Sequence, residues 1–409
     1  MPWGPGPSGL AFNPANPNQL FTNGNQTVST TTLSGNVTSS TIPNWTDQGV
    51  GLEELVANQI LVAPVAGSVP LLASWDTAVF RTNGTNYATT SNFYPYNLAA
   101  GWSIDYASSN PNFIVLLADG SYAGGPQASS YSTNDGQTWT PLPTIPPGGS
   151  FGGNIAASTP NNFIFAGTGN QPYYTLDGGN TWNPVNLPGV SSYSNLLHTF
   201  SNARIVTADR VLANTFYLLD VGTGLFKTTN GGATWTLVNT SVNTLDPSYV
   251  MGTPQIESTP GVAGDLWIAT GQNRGRNGSL LHSTDGGSTW TAIANVVEPM
   301  AIGFGAPAPG QSYPAIYMVG LVNGVYGIWQ SINDAQSWTQ LGPFANNSLD
   351  TVRTISGDPN VYGHGLRKES AMSLGYRICQ QTLIIISRTT SSIYYPYFLR
   401  KKPSTAKKS

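Results

Sequence analysis

One eight-residue phrase recurs through the middle of this chain, and every copy ends in tryptophan. It reads Ser-Thr-Asn-Asp-Gly-Gln-Thr-Trp at 132–139, Thr-Leu-Asp-Gly-Gly-Asn-Thr-Trp at 175–182, Thr-Thr-Asn-Gly-Gly-Ala-Thr-Trp at 228–235 and Ser-Thr-Asp-Gly-Gly-Ser-Thr-Trp at 283–290. A worn copy, Ser-Ile-Asn-Asp-Ala-Gln-Ser-Trp, occupies 331–338. The tryptophans, Trp139, Trp182, Trp235, Trp290 and Trp338, stand 43, 53, 55 and 48 residues apart. A repeat of that length marks a solenoid, a propeller or an array. The phrase itself has the chemistry of a hairpin turn. Asp or Asn bonds its own following backbone, and Gly takes the positive φ the turn requires. The Trp ring then has a large area to bury between repeats, with an N–H left to find a partner. Asp135, Asp177 and Asp285 therefore read as structural residues, not as catalytic or metal-binding ones.

Composition separates the architectures. Only 9% of residues are charged, while the chain holds 46 Gly and 30 Pro. Long amphipathic helices cannot be written with that alphabet. Short apolar runs dominate instead, such as Phe113-Ile-Val-Leu-Leu, Asn162-Phe-Ile-Phe-Ala and Ala315-Ile-Tyr-Met-Val, each bounded by Gly, Asn, Asp or Pro. These are strands between turns. About four strands per repeat gives a β-propeller, in which radial repetition leaves few free sheet edges. Asn44-Trp45-Thr46-Asp47 reads as a decayed copy of the phrase, 94 residues before Trp139, so a blade without the motif is expected between them, around 70–115. The tally is seven blades, and the fold class is all-β, a single seven-bladed propeller. Pro-Asn phrases at 13–18, 108–112, 158–162 and 357–360 read as turns at equivalent places in different blades. Ring closure is expected to bring the first strand, near 10–21, beside strands near 350–363.

The formal net charge of −3 hides a division. Residues 1–365 carry 18 acids and seven basic residues, whereas 366–409 carry nine basic residues and Glu369 alone. The chain's one cysteine, Cys379, also falls in that tail. The expected division is therefore a propeller over 1–365 and a basic tail, 366–409, outside the fold. A shifted reading frame or a retained intron would produce such a change. Thr382–Ile386 and Ser392–Leu399 are apolar but far short of the roughly 20 residues that span a bilayer. The start, Met1-Pro-Trp-Gly-Pro-Gly, lacks the charged and apolar regions of a signal peptide. Sequons at Asn25, Asn36, Asn44, Asn83, Asn239, Asn277 and Asn346, and the scarcity of Lys, lean toward an extracellular origin.

Several chemistries are excluded. His198, His282 and His364 share no metal-ligand spacing, so no metal site is expected. No Gly-Lys-Ser/Thr phosphate loop and no Gly-x-Ser-x-Gly elbow occurs, and no cofactor is expected. The acid-leaning body offers no basic face, so neither nucleic acid nor membrane is an expected partner, and the chain is expected to be a monomer. Aromatic side chains do cluster in and near the motif-free blade: Trp75, Tyr94, Tyr96, Trp102, Tyr122 and Tyr131. Rings with hydroxyl and amide neighbours suit uncharged sugars, although aromatics in β-proteins are more often core.

The repeated phrase resembles the Asp box (the BNR-like repeat) of sialidases, sortilin-like receptors and glycoside hydrolase family 74. Longer stretches single out the last. Gly51-Leu-Glu-Glu-Leu-Val-Ala-Asn and Pro70-Leu-Leu-Ala-Ser-Trp-Asp-Thr-Ala-Val-Phe-Arg81 resemble that family's Gly-Leu-Glu-Glu and Gly-Asp-Ile-Gly-Gly-Phe-Arg segments. Ser103-Ile-Asp-Tyr-Ala, Ala208-Asp-Arg-Val211, Gly264-Asp-Leu-Trp267, Ala308-Pro-Gly-Gln-Ser-Tyr-Pro-Ala-Ile-Tyr317 and Gly357-Asp-Pro-Asn-Val-Tyr-Gly363 follow in order. The resemblance runs over roughly 8–363. It implies the second of two propellers, with a glucan cleft between them.

By that resemblance the general acid falls on Asp76, aligned through Phe-Arg. The flanking glycines are replaced, with Trp75 before it and Thr77-Ala-Val after it. Inverting hydrolysis of a glycosidic bond needs two carboxyl groups about 6.5–9.5 Å apart. One protonates the leaving oxygen while the other activates water. Burial against Trp75 and bound sugar would raise the pKa of Asp76 toward the range a general acid needs. The family's general base lies in its first propeller, so the resemblance implies an incomplete machine. Glu53 and Glu54 are candidates for shaping the site, with Trp75, Tyr94, Tyr96 and Trp102 as substrate-contacting rings. The expected function is that of an inverting hydrolase acting on a β-1,4-glucan such as xyloglucan. The alternative is a non-catalytic carbohydrate-binding or scaffold propeller. On either reading the partner is a plant cell-wall polysaccharide or oligosaccharide, and the family-based location is extracellular.

Overall fold

The computed structural model describes residues 9–23, 28–33, 44–47, 57–74, 78–82, 89–92, 100–119, 129–147, 152–193, 203–220, 222–242, 254–273, 276–343, 351–363, 365–370 and 384–386. All regular structure among them is β. Most of it falls into antiparallel meanders of four strands, each hydrogen-bonded in chain order. The Trp182 sheet is representative: Gly153–Thr159, Asn162–Gly167, Tyr173–Thr175 and Asn183–Pro184 pair successively. Its first two strands are buried on both faces, which is why they read as unbroken apolar runs rather than alternating ones. The tryptophan-ended phrase links the third strand to the fourth.

The first strands of successive meanders pack side by side. Ala57–Leu61 lies against Ala100–Ala107, which lies against Gly153–Thr159, then Val206–Ala208, Gln255–Ser258, Thr291–Gly305 and Thr351–Gly357, and the last returns to Ala57–Leu61. The sheets thus radiate from an axis, and the molecule is a β-propeller. Thr291–Gly305 serves two sheets: His282 pairs with its Thr291, while Ala315 pairs with its Gly305. Positive φ at Asn295 (62°) and Glu298 (51°) marks the bend between the two halves.

Hydrophobic clusters fill the spaces between neighbouring sheets. Leu71, Ile104 and Leu116 occupy one such space, Phe113, Phe163 and Phe165 the next, and Ile164, Phe216, Leu225 and Leu266 the following ones. Radiating inner strands cannot hydrogen-bond their backbones fully to one another, so side chains bridge them. The Gln59 carboxamide accepts from Ser103 Oγ at 3.0 Å, Asp105 Oδ2 accepts from the Ala157 N–H at 2.9 Å, and Asn154 Oδ1 accepts from the Val206 N–H at 2.8 Å. Arg204 reaches Gln255 at 2.7 Å. The ring closes where the Ile60 N–H donates to Thr354 Oγ1 at 3.0 Å and Asn360 Nδ2 donates to the Ala63 carbonyl at 3.0 Å.

Two expectations about the ring are corrected here. The strand packed on Thr351–Gly357 is Ala57–Leu61, not one near 10–21. Gly9–Asn13 belongs to a separate meander with Asn16–Asn23, Val28–Thr32 and Thr46–Asp47, and its Leu10 and Phe12 are each 60% exposed. The motif-free sheet spans 57–92, earlier than 70–115, because the phrase follows the third strand and a sheet begins some 29–39 residues before its tryptophan. The last sheet contains Gly365–Ser370 and Ile384–Ile386, so strand pairing runs on past residue 365.

Candidate functional site

The turns at the two ends of the sheets differ in character. At one end lie the tryptophan loops and the turns between first and second strands. The Gly178 N–H donates to the Asn161 carbonyl, Gly231 to Asn214 and Gly286 to Gly264, tying each loop to its own sheet. Within the loops the third position of the phrase does the same task five times. Asn134, Asp177, Asn230, Asp285 and Asn333 each receive a Ser or Thr hydroxyl from two residues earlier and an N–H from four residues later. Hydrogen bonds from the Thr289 side chain and backbone pull Asp285 down to about 2, and those of Thr181 lower Asp177 likewise. Groups held so firmly ionised are poor proton donors, which is the structural role expected of them. Asp135 sits one position later than the register of the phrase implies. It occupies the glycine position, with φ of 56°, and Asn134 is the true counterpart of Asp177 and Asp285. Trp139, Trp235 and Trp290 donate Nε1–H to the glycine carbonyl three residues back.

The opposite end carries the links between second and third strands and those between sheets. Asp76, Trp75, Glu53, Glu54, Tyr94 and Tyr96 lie outside the described residues. Their described neighbours meet at one point. Asn58 Nδ2 donates to the Gly101 carbonyl, and a Cβ at Gly101 would stand 1.8 Å from the carbonyl oxygen of Ala78. Asn58 follows 48–56, Ala78 follows 75–77, and Gly101 follows 93–99. Trp102 is corrected: it is 4% exposed and packs with Ala100, Phe113, Val115 and Ile155, so its ring offers no open face to a sugar. Inner strands of a propeller are covered by sheets on both sides, and Trp102 lies on such a strand. Asp220, at the same end, was not visible as special in the sequence. It closes Phe216–Asp220, and burial raises its pKa, partly offset by Thr223.

Around the axis four charged side chains lie together, Asp105 and Arg204 buried and Arg210 and Glu257 half-buried. Arg210 holds Asp105 at 2.8 Å and stacks its guanidinium 4.4 Å from the Tyr106 ring centre. Arg204 holds Glu257 at 2.7 Å. Burial raises the Glu257 pKa, and both arginines counter that rise. Burial opposes charge on Arg210 too, but Asp105 more than offsets it and the pKa rises. Arg210 crosses between sheets to reach a partner 105 residues away in the chain. The segments around 103–107 and 208–211 were legible as family-like phrases, but not as each other's partners. A second cluster joins Asp265, His282, Thr259, Tyr313 and Trp267. His282 Nε2 stands 3.0 Å from Asp265, and its ring stacks on Trp267 at 3.8 Å. Burial pushes Asp265 up, but hydrogen bonds from His282, Thr259 and Tyr313 outweigh it and the pKa is lowered.

A propeller with repeated tryptophan loops and a buried axial ion network is thus the class of protein in hand. Comparison places it further. The chain is 30% identical over 317 residues to a xyloglucanase of Paenibacillus sp., an alignment covering 76% of this chain and 29% of that protein. It is 29% identical over 317 residues to a xyloglucanase of Acetivibrio thermocellus, covering 77% of this chain and 34% of that one. The crystal structure of a family 74 glycoside hydrolase from Niastella koreensis superposes with a TM-score of 0.65 at 24% identity, covering 93% of this chain and 49% of that one, and shows the same fold. No family model matches. The chain is related to the xyloglucanases of glycoside hydrolase family 74. It spans about a third of the length of these two curated relatives.

Proposed function

We propose that this propeller acts on a β-1,4-glucan such as xyloglucan as part of an inverting glycoside hydrolase, with Asp76 as general acid. The observation that carries this reading is the 30% identity to a xyloglucanase over 317 residues. The meeting of Asn58, Ala78 and Gly101 supports it. These residues border the three segments holding Glu53, Glu54, Trp75, Asp76, Tyr94 and Tyr96, so a short distance separates the points where those segments rejoin the sheets. Glu53 and Glu54 would shape the site, and the three remaining aromatic rings would stack on glucose units. We also read the ring as seven blades over 57–386 with Asp-box loops, on the strength of the seven inner strands packed in cyclic order. The substrate implies an extracellular location. The second reading is a carbohydrate-binding propeller without turnover. It is favoured by the replaced residues Trp75 and Thr77 on either side of Asp76.

Release of reducing ends from tamarind xyloglucan, alongside binding of the same polymer by affinity electrophoresis, tests both. Assayed with the base-bearing first propeller of a family 74 xyloglucanase supplied alongside, the hydrolase reading expects binding by wild type and by Asp76→Asn, with turnover lowered at least 100-fold in the variant. Binding by both with no turnover in either selects the second reading. Failure of the folded chain to bind any glucan removes both.

A further inference from the structure

Inner strands of the ring surround a cavity of about 70 Å³. Its lining joins the charged quartet Asp105, Arg204, Arg210 and Glu257 to apolar residues such as Val62, Phe304 and Ile355, with Ser356 beside them. Pro260, Pro359 and Arg210 line the cavity where first strands turn into second strands.

We propose that this cavity is a binding site for a small neutral polyol of glycerol to erythritol size. Net charge decides against an ion. Two guanidiniums face two carboxylates, each paired at 2.8 Å or less, so an anion or a cation would have to break a buried ion pair to gain a partner. Breaking such a pair leaves an uncompensated buried charge. A purely apolar guest is opposed by the same wall, whose remaining donors and lone pairs would lose water without replacement. A hydroxyl avoids both penalties, since it donates to Asp105 or Glu257 and accepts from Arg204 or Arg210. The carbon chain of a polyol also presents C–H groups to Phe304, Val62 and Ile355. Size sets the upper limit. A water needs roughly 10–15 Å³ on this scale, so the cavity takes about five waters, or six to eight heavy atoms of a ligand. The inference is independent of the hydrolase reading, because it uses residues at the other end of the sheets.

Saturation-transfer NMR on the full chain with erythritol, and with glycerol, tests it. The expected result is a saturable signal with a millimolar Kd. Ser356→Leu, which adds bulk to a half-buried cavity-lining residue, should weaken binding at least tenfold, and exposed Leu212→Ser should leave it unchanged. Val62→Phe fills the cavity from another sheet and serves if Ser356→Leu fails to fold by circular dichroism. A crystal soaked in erythritol should show the polyol between the charged quartet and Phe304. Ordered water alone in that crystal, a signal that does not saturate, a signal as strong in both filled variants as in the wild type, or acetate binding tenfold tighter than erythritol would each overturn the proposal.

Discussion

At the residue scale, the loop phrase works through two kinds of position. The third residue supplies an oxygen, and Asn or Asp serves equally, as Asn230 and Asp285 show with matching bonds to Thr234 and Thr289. The fifth must be small because it faces the preceding sheet. At Gly287, φ is 85°, and a Cβ would stand 2.2 Å from Leu225 Cδ2. Gly287→Ala is expected to destabilise the fold by about 1–3 kcal/mol, measured by urea unfolding, from backbone strain and overpacking together. The worn copy carries Ala335 there at φ 58°, so this loop already tolerates what the others avoid. Asp220 has a different signature. Burial raises its folded-state pKa, so ionisation above that value weakens the fold, and the penalty disappears as pH falls below its unfolded value near 4. Asp220→Asn should therefore raise thermal stability at pH 7 and have no stabilising effect near pH 3.5. A loss of stability at pH 7 would show that the carboxylate has a partner worth more than its desolvation. The identity of the loop residues was plain in the sequence, but the one-residue shift that makes Asn134 the functional counterpart of Asp177 was not. Both Asn134 and Asp135 have suitable side chains, and only backbone φ tells which one turns the chain.

At the element scale, the strands were legible because apolar runs such as 113–117 and 162–166 are bounded by turn residues on both sides. The inner strands carry polar residues that read as noise in that pattern. Ser103, Asp105, Asn154 and Arg204 are buried, and each reaches a neighbouring inner strand. Their job follows from geometry, since radial sheets leave inner-strand backbone groups facing the next sheet with incomplete pairing. Arg210 and Asp105 are the clearest case. Removing one partner strands a buried charge, so Arg210→Ala should destabilise by about 3–5 kcal/mol. Arg210→Met combined with Asp105→Leu should lose much less than the sum of the single changes, because both charges go together. A double-mutant cycle in guanidinium chloride measures the difference. Additive losses would mean that the pair's salt bridge is not what Arg210 contributes. Trp102 failed as a sugar platform for the same geometric reason: its strand is covered on both faces.

At the scale of the whole molecule, closure joins residues nearly 300 positions apart. The Ile60 N–H has Thr354 Oγ1 as its partner across the seam. Thr354→Val keeps the shape and removes the acceptor, so it should cost about 1–3 kcal/mol, the penalty of an unsatisfied buried N–H. Amide exchange of Ile60, followed by NMR, should speed up more than that of Ile155, whose partner Ser103 lies far from the seam. Equal protection of both would place the seam elsewhere. Sequence periodicity gave the right spacing for the sheets but assigned the meander at 9–47 to the ring. Its turn phrase and Trp45 look like those of a blade, and nothing local distinguishes it. The difference is long-range: Leu10 and Phe12 stay exposed while the corresponding residues of Ala57–Leu61 are covered.

Fold class, strand alphabet and loop chemistry came from the chain's own order, because turns and hydrogen bonds over two to four residues are set by near neighbours. Which strand closes the circle, which carboxylate meets which guanidinium, and which tryptophan faces water were settled only by packing. Those outcomes depend on residues about 50 to 300 positions apart, whose contacts are fixed by the cyclic arrangement of sheets and leave no mark in local sequence.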